Sequence, residues 1–185
     1  MKGETQNIHK HLILQCQKGD RDAQSQIYRL YVTAMYNICR RMMGDEEEAK
    51  DILQESFMDA FQKLPTLREV STFSLWLKRI VTNNCINALR KRRIATQELN
   101  ENWDGMEEEE EDMDYTRYRA SQILEAIDEL PEGCRTVLNL YLFEGYNHQE
   151  IAQILEITES ASKAQYSKAK ARIRHQLIQN VSQYV

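Results

Sequence analysis

The feature that most constrains the fold is a 21-residue acidic segment, Ile94 to Asp114, which holds ten Asp or Glu residues and no Lys or Arg. A segment with so many like charges and so few apolar side chains cannot bury enough surface to offset the entropy of ordering it. We therefore expect residues 94–114 to be a flexible linker between two domains, residues 1–93 and 115–185. The ten acids also conceal the charge of these domains, because the net charge of −5 becomes +5 without them.

Both flanking blocks repeat apolar side chains at spacings of three and four residues, which is the pattern of amphipathic helices. The longest such face in the first block contains Ile27, Tyr31, Ala34, Ile38 and Met42. The whole chain has only six Gly and two Pro, too few for the many turns of a β-sandwich or barrel. The sequence therefore predicts an all-α protein of two small helical domains joined by the acidic linker.

Capping residues predict where several helices begin. Asp45 precedes a helix after the stop signal Gly44, and Glu48 is predicted to complete a capping box with Asp45. Asn147 and Glu150 form the same pattern before a short helix. Together with the apolar periodicity, these signals predict helices over 20–43, 45–65, 72–93, 118–130, 134–143, 147–155 and, after a turn over 156–158, 159–179.

Several classes of protein are disfavoured by the sequence. No apolar run approaches the roughly 18 residues of a membrane span, and no secretory leader opens the chain, so we expect a cytoplasmic protein. No nucleophile–base pair, cluster of metal ligands or Gly-rich phosphate loop is discernible, so we expect neither an enzyme nor a metal or cofactor. Residues 9–11, "HKH", are predicted to be a frayed, solvated start rather than a metal site. Four widely spaced cysteines are predicted to be buried thiols, not disulfides or zinc ligands: Cys16, Cys39, Cys85 and Cys134.

A helix-turn-helix is predicted near the C-terminus, where the capped helix over 147–155 is followed by a short turn and a longer helix. The longer helix carries five Lys or Arg between Ser160 and Gln176, and no acid occurs in the last 26 residues. Helical spacing gathers four apolar side chains on one stripe: Tyr166, Ala169, Ile173 and Leu177. The outward face holds small side chains between the cations: Ser160, Ala164, Ser167 and Ala171. Such a face can enter a major groove while Lys and Arg reach phosphates, and the alternative is a solvated amphipathic helix, which usually mixes charges of both signs.

A second basic stretch, residues 78–93, holds six Lys or Arg and no acid. Three asparagines lie within it, and Phe73 and Trp76 precede it. Cations, amides and aromatic rings together suit single-stranded nucleic acid, whose bases stack or enter pockets while cations follow the backbone. The alternative for Phe73 and Trp76 is a place in the core, because both lie on the apolar face of the helix.

Three motifs carry a family resemblance: "DEEEAKDILQESFMDAF" (45–61), "STFSLWLKRIVTNNCINALRKRR" (71–93) and "LPEGCRTVLNLYLFEGYNHQEIAQIL" (130–155). Taken in this order they resemble the extracytoplasmic-function (ECF) sigma factors of bacterial RNA polymerase. The resemblance covers nearly the whole chain except the N-terminal tail and the linker. It implies a region-two-like helical bundle, a region-four-like helix-turn-helix, and a sigma factor that directs RNA polymerase to specific promoters and melts them.

The resemblance also implies the functional residues. The helix that docks on the largest subunits of core polymerase would present Asp51, Gln54 and Glu55. The minus-ten element would be recognised by a loop over 66–72, which holds a flipped-out base, and by Phe73, Asn83, Arg90, Lys91, Arg92 and Arg93. The minus-35 element would be recognised in its major groove by Ser160, Lys163, Ala164, Gln165, Lys168 and Arg172.

The sequence departs from the family pattern at three positions. Glu156 stands in the turn where the family commonly has Gly, and a left-handed backbone there costs a non-glycine residue about 1 kcal/mol. Ser162 occupies a position of the apolar stripe that is usually Val, and Gln165 one that is usually basic. The promoter sequence that the last helix prefers therefore does not follow from the resemblance.

The resemblance implies as partners core RNA polymerase, promoter DNA and an anti-sigma factor, membrane-anchored or not, with the chain itself a monomer. Two other classes stay open from the sequence: a helix-turn-helix repressor or activator that binds duplex alone, and a helical adaptor with no DNA affinity. The linker also has two interpretations. Its ten acids either cover the basic faces as a DNA mimic or simply repel one another and extend the tether.

Overall fold

The structure is a computed structural model that describes residues 2–95 and 120–182, with side chains described for 9–92 and 120–179. The chain divides into two compact units, residues 1–93 and 94–185. The described residues contain no strand, which confirms the predicted all-α class, and none of their helices is long and apolar enough to span a membrane. Residues 2–95 and 120–182 form eight α-helices: α1 (Lys2–Gln17), α2 (Arg21–Met43), α3 (Glu46–Lys63), α4 (Phe73–Ala95), α5 (Ala120–Asp128), α6 (Glu132–Leu142), α7 (His148–Leu155) and α8 (Glu159–Ser182).

The acidic linker falls mostly outside the description. Helix α4 continues through Ala95, two residues into the predicted linker, and residues 96–114 lie outside the described residues. The predictions made for that segment, as a flexible tether or a DNA mimic, therefore stay predictions.

In the first unit, capping residues fix the ends of α2 and α3 as the sequence predicts. The Asp20 carboxylate accepts hydrogen bonds from the N–H groups of Asp22 (2.9 Å) and Ala23 (3.0 Å). Gly44 ends α2 in a left-handed conformation, with φ 75°. The packed interior of this unit is formed by side chains from all four helices and the loop before α4, among them Cys16, Ile27, Met42, Phe57, Leu64, Leu77 and Val81.

The capping box predicted at the start of α3 forms only by half. The Asp45 carboxylate accepts a hydrogen bond from the N–H of Glu48 at 2.9 Å. The Glu48 carboxylate, however, accepts a hydrogen bond from the Arg92 guanidinium of α4. The Arg92 guanidinium brings a full positive charge to this carboxylate, whereas the N–H of Asp45 is neutral, so the ion pair is the stronger interaction.

Two predictions about reactive side chains have different outcomes. The four cysteines are free and buried, as expected. The pKa of Cys16 is raised to about 11, chiefly because the thiol is buried and secondly because the negative charge of Asp20 is near. The prediction of a solvated start at residues 9–11 is wrong for His9. Its ring is half-buried in α1 against Tyr31, with the ring centroids 5.9 Å apart.

The second unit is a bundle of α5, α6, α7 and α8. Its core contains the predicted stripe of α8 packed on α5 and α6, with Ala126, Ile127, Leu130, Cys134, Leu138, Ala169, Ile173 and Leu177 buried. The capping box of α7 forms in full, because Asn147 and Glu150 each accept a hydrogen bond from the other's N–H. The Thr158 hydroxyl accepts a hydrogen bond from the Ala161 N–H at 3.1 Å and caps α8. The fold thus holds α7 and α8 as a helix-turn-helix.

Glu156 ends α7 in the left-handed conformation, with φ 55° and ψ 45°. It is the one non-glycine residue with a positive φ among the described residues. Since an L side chain is strained there, Glu156→Gly is expected to raise the free energy of unfolding by about 1 kcal/mol. Thermal denaturation followed by circular dichroism measures the change. Gln153→Gly, inside α7, is the control and should lower stability by about 1 kcal/mol; a Glu156→Gly protein less stable than wild type would contradict the prediction.

Candidate nucleic-acid and polymerase interfaces

Helix α8 presents a cationic face to the outside of the second unit. Because Ala169, Ile173 and Leu177 are buried in the core, the opposite side of α8 is left exposed. The predicted minus-35 residues that lie on it are Ser160, Lys163 and Ala164, which are exposed, and Lys168 and Arg172, which are half-exposed. Small side chains at the N-terminal end of this face allow close approach to base edges, while the cations can reach phosphates.

Gln165 points elsewhere. Its side chain is half-buried, and its Oε1 accepts a hydrogen bond from Cys134 Sγ of α6 at 2.9 Å. Its amide also lies 3.6 Å from the point where a Cβ on Gly133 would be. In this structure Gln165 therefore packs between α6 and α8 and does not belong to the exposed row.

Lys163 is held by the one acid of α8. Its Nζ lies 2.7 Å from Glu159 Oε1, one turn back along the helix, and both side chains are at least half exposed. The hydrogen bond from Lys163 lowers the pKa of Glu159, as does the Lys163 charge. Exposed pairs of this kind contribute little to stability, so Lys163 can leave Glu159 for a phosphate or a base at small cost.

A buried polar contact joins α7 to α8, and no local sequence pattern marks this contact. Ser162 is fully buried, and its hydroxyl lies 2.9 Å from Nδ1 of His148, the first residue of α7. Tyr141 stacks on the His148 ring, with centroids 4.6 Å apart and planes at 16°. The contact between Ser162 and His148 explains why the apolar stripe of α8 tolerates a serine, since a buried hydroxyl needs a hydrogen-bond partner.

Helix α4 exposes a row of side chains at spacings of four residues, which winds around the helix: Leu75, Arg79, Asn83, Asn87 and Lys91. The row combines two cations with two amides, and the whole helix contains no acid. Leu75, with 70% of its surface exposed, is an apolar side chain at the end of the row nearest the predicted base-holding loop. Of this row only Asn83 and Lys91 are among the residues that the family resemblance implies.

The other predicted minus-ten residues have different surroundings. Phe73 is only 2% exposed and packs in the core, with its ring centroid 5.3 Å from that of Tyr31, so its ring is not at the surface where a base would need it. Arg90 is half-exposed, and Arg92 pairs with Glu48. The side chain of Arg93 lies outside the described residues.

The loop between α3 and α4 is ordered by short-range hydrogen bonds. It consists of two 3-10 turns, Leu64–Thr66 and Val70–Thr72. The Glu69 carboxylate accepts hydrogen bonds from the N–H (3.3 Å) and the hydroxyl (2.8 Å) of Ser71. Arg68, between the two turns, is exposed. The loop is thus a defined surface feature next to the Leu75 end of the α4 row.

Helix α3 presents an acid-and-amide face. Asp51, Gln54 and Glu55 are all exposed on it, and Met58, one turn further on, is 67% exposed. Asp59, by contrast, pairs with Lys63 at 2.9 Å. The exposed face has the mixture of carboxylate, amide and apolar groups that suits contact with another protein bearing cations.

The two helical units, each with an acid-poor cationic surface and one with a helix-turn-helix, define a DNA-binding transcription factor. Among the residues that the structure describes, no three His, Cys, Asp or Glu side chains are close enough to hold a metal ion.

Comparison with known proteins defines the family. Residues 27–94 match the family described as Sigma-70 region 2, and residues 120–173 match Sigma-70, region 4. The chain is 31% identical over 179 residues to the ECF RNA polymerase sigma factor SigW of Bacillus subtilis, covering 91% of this chain and 96% of that protein. It is 30% identical over 181 residues to the RNA polymerase sigma-H factor of Pseudomonas aeruginosa, covering 91% and 93%.

The chain therefore belongs to the ECF sigma factors and directs RNA polymerase in transcription initiation. This family consists of transcription regulators rather than catalytic enzymes. Among solved structures, CnrH, solved in complex with the cytosolic domain of CnrY, has a similar fold. Its TM-score is 0.50 at 22% identity, and the match covers 91% of this chain and 96% of that one.

Proposed function

We propose that the two units bind two elements of one promoter while α3 holds the chain on core RNA polymerase. Helix α8 would enter the major groove of the minus-35 element with Ser160, Lys163 and Ala164 foremost. Helix α4 and the loop over 66–72 would bind the minus-ten element after its strands separate. Asp51, Gln54 and Glu55 would contact the polymerase.

The observation that carries this proposal is the exposed row of α4. A repressor or activator that binds only duplex would need the helix-turn-helix and not a second nucleic-acid surface. The row contains groups of two kinds: the cations Arg79 and Lys91, at either side of the amides, can follow a phosphate backbone, and the amides Asn83 and Asn87 can hydrogen-bond base edges. Base edges on all sides become available only when strands separate, which favours a melted promoter as the ligand.

Asn83→Ala tests the proposal, because Asn83 is exposed in the middle of the row. Loss of its amide is expected to reduce minus-ten opening by holoenzyme about tenfold, the effect of removing one hydrogen-bonding group from a base contact. The fluorescence of 2-aminopurine placed in the minus-ten element measures opening. Asn37→Ala, an exposed asparagine of α2, is the matched control and should open like wild type; equal opening by both variants would contradict the role of α4.

We also propose that an anti-sigma factor, whether or not it is anchored in a membrane, binds the chain and blocks its access to core polymerase. Membership of the family supports this partner, and CnrH, which has a similar fold, was solved in complex with the cytosolic domain of CnrY. The free chain would be a monomer in the cytoplasm, where polymerase and promoter are reached. A protein that covered α3 would prevent polymerase binding, and one that covered the α4 row would prevent binding of the minus-ten element.

A further inference from the structure

We propose that Gln17, the last residue of α1, is a positioning residue for the base-holding loop between α3 and α4. The inference rests on the proposed function of that loop in holding a flipped-out minus-ten base. It assigns to α1, which precedes the matched family region beginning at residue 27, a part in recognition of the minus-ten base.

The geometry that carries the proposal is a pair of long-range hydrogen bonds. Gln17 Nε2 donates to the carbonyl oxygen of Leu64 at 3.1 Å and to that of Leu67 at 2.8 Å. These residues lie 47 and 50 positions away along the chain. A primary amide has two N–H donors, so one side chain can make both bonds at once.

The loop's own hydrogen bonds act over short distances along the chain. Leu67 N–H donates to the Leu64 carbonyl at 3.0 Å, and the Thr66 hydroxyl donates to the Lys63 carbonyl at 2.7 Å. Bonds of this kind shape a turn but do not fix its place relative to the rest of the unit. Leu64 is buried and anchors the first end of the loop. Gln17 adds an anchor at Leu67, where the chain leaves the first turn.

A second observation also places α1 beside the loop. Hydrogen bonds from the Ser71 hydroxyl and then from its N–H lower the pKa of Glu69, and the charge of Lys10 in α1 lowers it further. Lys10 and Gln17 are seven residues apart, about 10 Å along a helix. Helix α1 therefore runs along the loop from the second turn, near Glu69, to the first, near Leu67.

The physical consequence is a loop whose shape is set before DNA arrives. A pocket that distinguishes one base from another needs its groups held in place, and ordering them at the moment of binding would weaken discrimination. Without Gln17 the Leu67 carbonyl would turn to water, the Leu64 carbonyl would keep the bond from the Leu67 N–H, and the first turn would move more freely. Gln17 itself is half-buried and bonds to the loop backbone, so its effect on the base would pass through the loop.

The test uses the full chain in holoenzyme on a promoter that wild type transcribes, opened in advance by mismatches across the minus-ten element. The measured quantity is base discrimination, the ratio of Kd values for templates with substituted and native bases at the flipped position. Gln17→Met keeps the length of the side chain without its donors and should lower discrimination about tenfold, the size of effect expected from a lost hydrogen-bonding group. Affinity for a minus-35 duplex and for core polymerase should stay within twofold.

Gln17→Glu has the shape of glutamine but repels the two carbonyls, so it should lose discrimination as well and serves if the methionine variant does not fold. Gln24→Met replaces another half-buried glutamine and should behave as wild type. Wild-type discrimination in both Gln17 variants would overturn the positioning role.

A Gly-Ser sequence in place of residues 66–69 separates the proposed function of the loop from the positioning role of Gln17. If it leaves discrimination unchanged, the proposed function of the loop fails and the inference with it; if it abolishes discrimination while the Gln17 variants retain it, only the inference fails.

Discussion

The double variant Gln54→Ala/Glu55→Ala is expected to lose binding to core RNA polymerase by at least about 100-fold. Both side chains are exposed on α3 beside Asp51, and neither has a described partner within the chain, so truncation removes groups that are free to bind another protein. Replacing a polar or charged group at the centre of a protein interface by alanine commonly lowers the binding free energy by about 2 kcal/mol or more. Fluorescence anisotropy of the labelled chain titrated with core polymerase measures the affinity.

Glu46→Ala is the matched control for this experiment. Glu46 is an exposed carboxylate in the first turn of the same helix, and it pairs with Lys50 at 2.8 Å. Its loss should leave polymerase affinity within a factor of about two, as for most surface positions outside an interface. Binding by the double variant equal to that of wild type would show that α3 is not the docking helix.

Lys163→Ala is expected to weaken binding of the minus-35 element about tenfold, with a shallower dependence of affinity on salt. Lys163 lies on the exposed row of α8 near its N-terminal end, the part of a recognition helix that meets base edges. A lost base contact costs about 1–3 kcal/mol, and a lost phosphate contact lowers the salt slope by about one. Titration of a minus-35 duplex with holoenzyme at several salt concentrations separates the two roles.

Lys63→Ala controls for the loss of a surface ion pair. Lys63 pairs with Asp59 at 2.9 Å, at the same spacing of four residues as Lys163 and Glu159. Lys63 lies in α3 of the other unit. Its removal should therefore lower stability as little as the loss of the Lys163–Glu159 pair, and affinity for the minus-35 duplex should not change. If both lysine variants bound the duplex equally well, Lys163 would have no place in the interface.

Local patterns predicted α2 to α8 but not α1, and they succeeded where a helix depends on residues close together in sequence. The stripe of Ala169, Ile173 and Leu177 is buried as the spacing indicated, and Asn147 and Glu150 cap α7 together. These features follow from helical periodicity and from side chains that reach three residues along the chain.

Contacts between distant residues were not predictable from such patterns. Glu48 fitted a capping box, but the fold brings Arg92, 44 residues away, to its carboxylate. No local pattern marks Gln17, and only the tertiary structure places its amide on two loop carbonyls. A charged or amide side chain takes the best partner within reach, and which partners are within reach is decided by helix packing.

The candidate site shows the same division. Exposure of Asp51, Gln54 and Glu55 follows from their place opposite the apolar face of α3. The sequence leaves two interpretations of Phe73, because an aromatic ring on an apolar face suits either the core or base stacking, and the structure buries it. The inward turn of Gln165 depends on the thiol of Cys134, 31 residues earlier, and no local signal marks that pairing.

Run-off transcription tests whether the chain directs core RNA polymerase to promoters while α3 holds it on the enzyme. Purified core RNA polymerase is incubated with a genomic promoter library in the presence and absence of the full chain, and transcript start sites are mapped. We expect a set of start sites that appear only with the chain, share two upstream elements and disappear with Gln54→Ala/Glu55→Ala. Identical start sites with and without the chain, together with no binding of the chain to core polymerase, would show that it does not direct initiation.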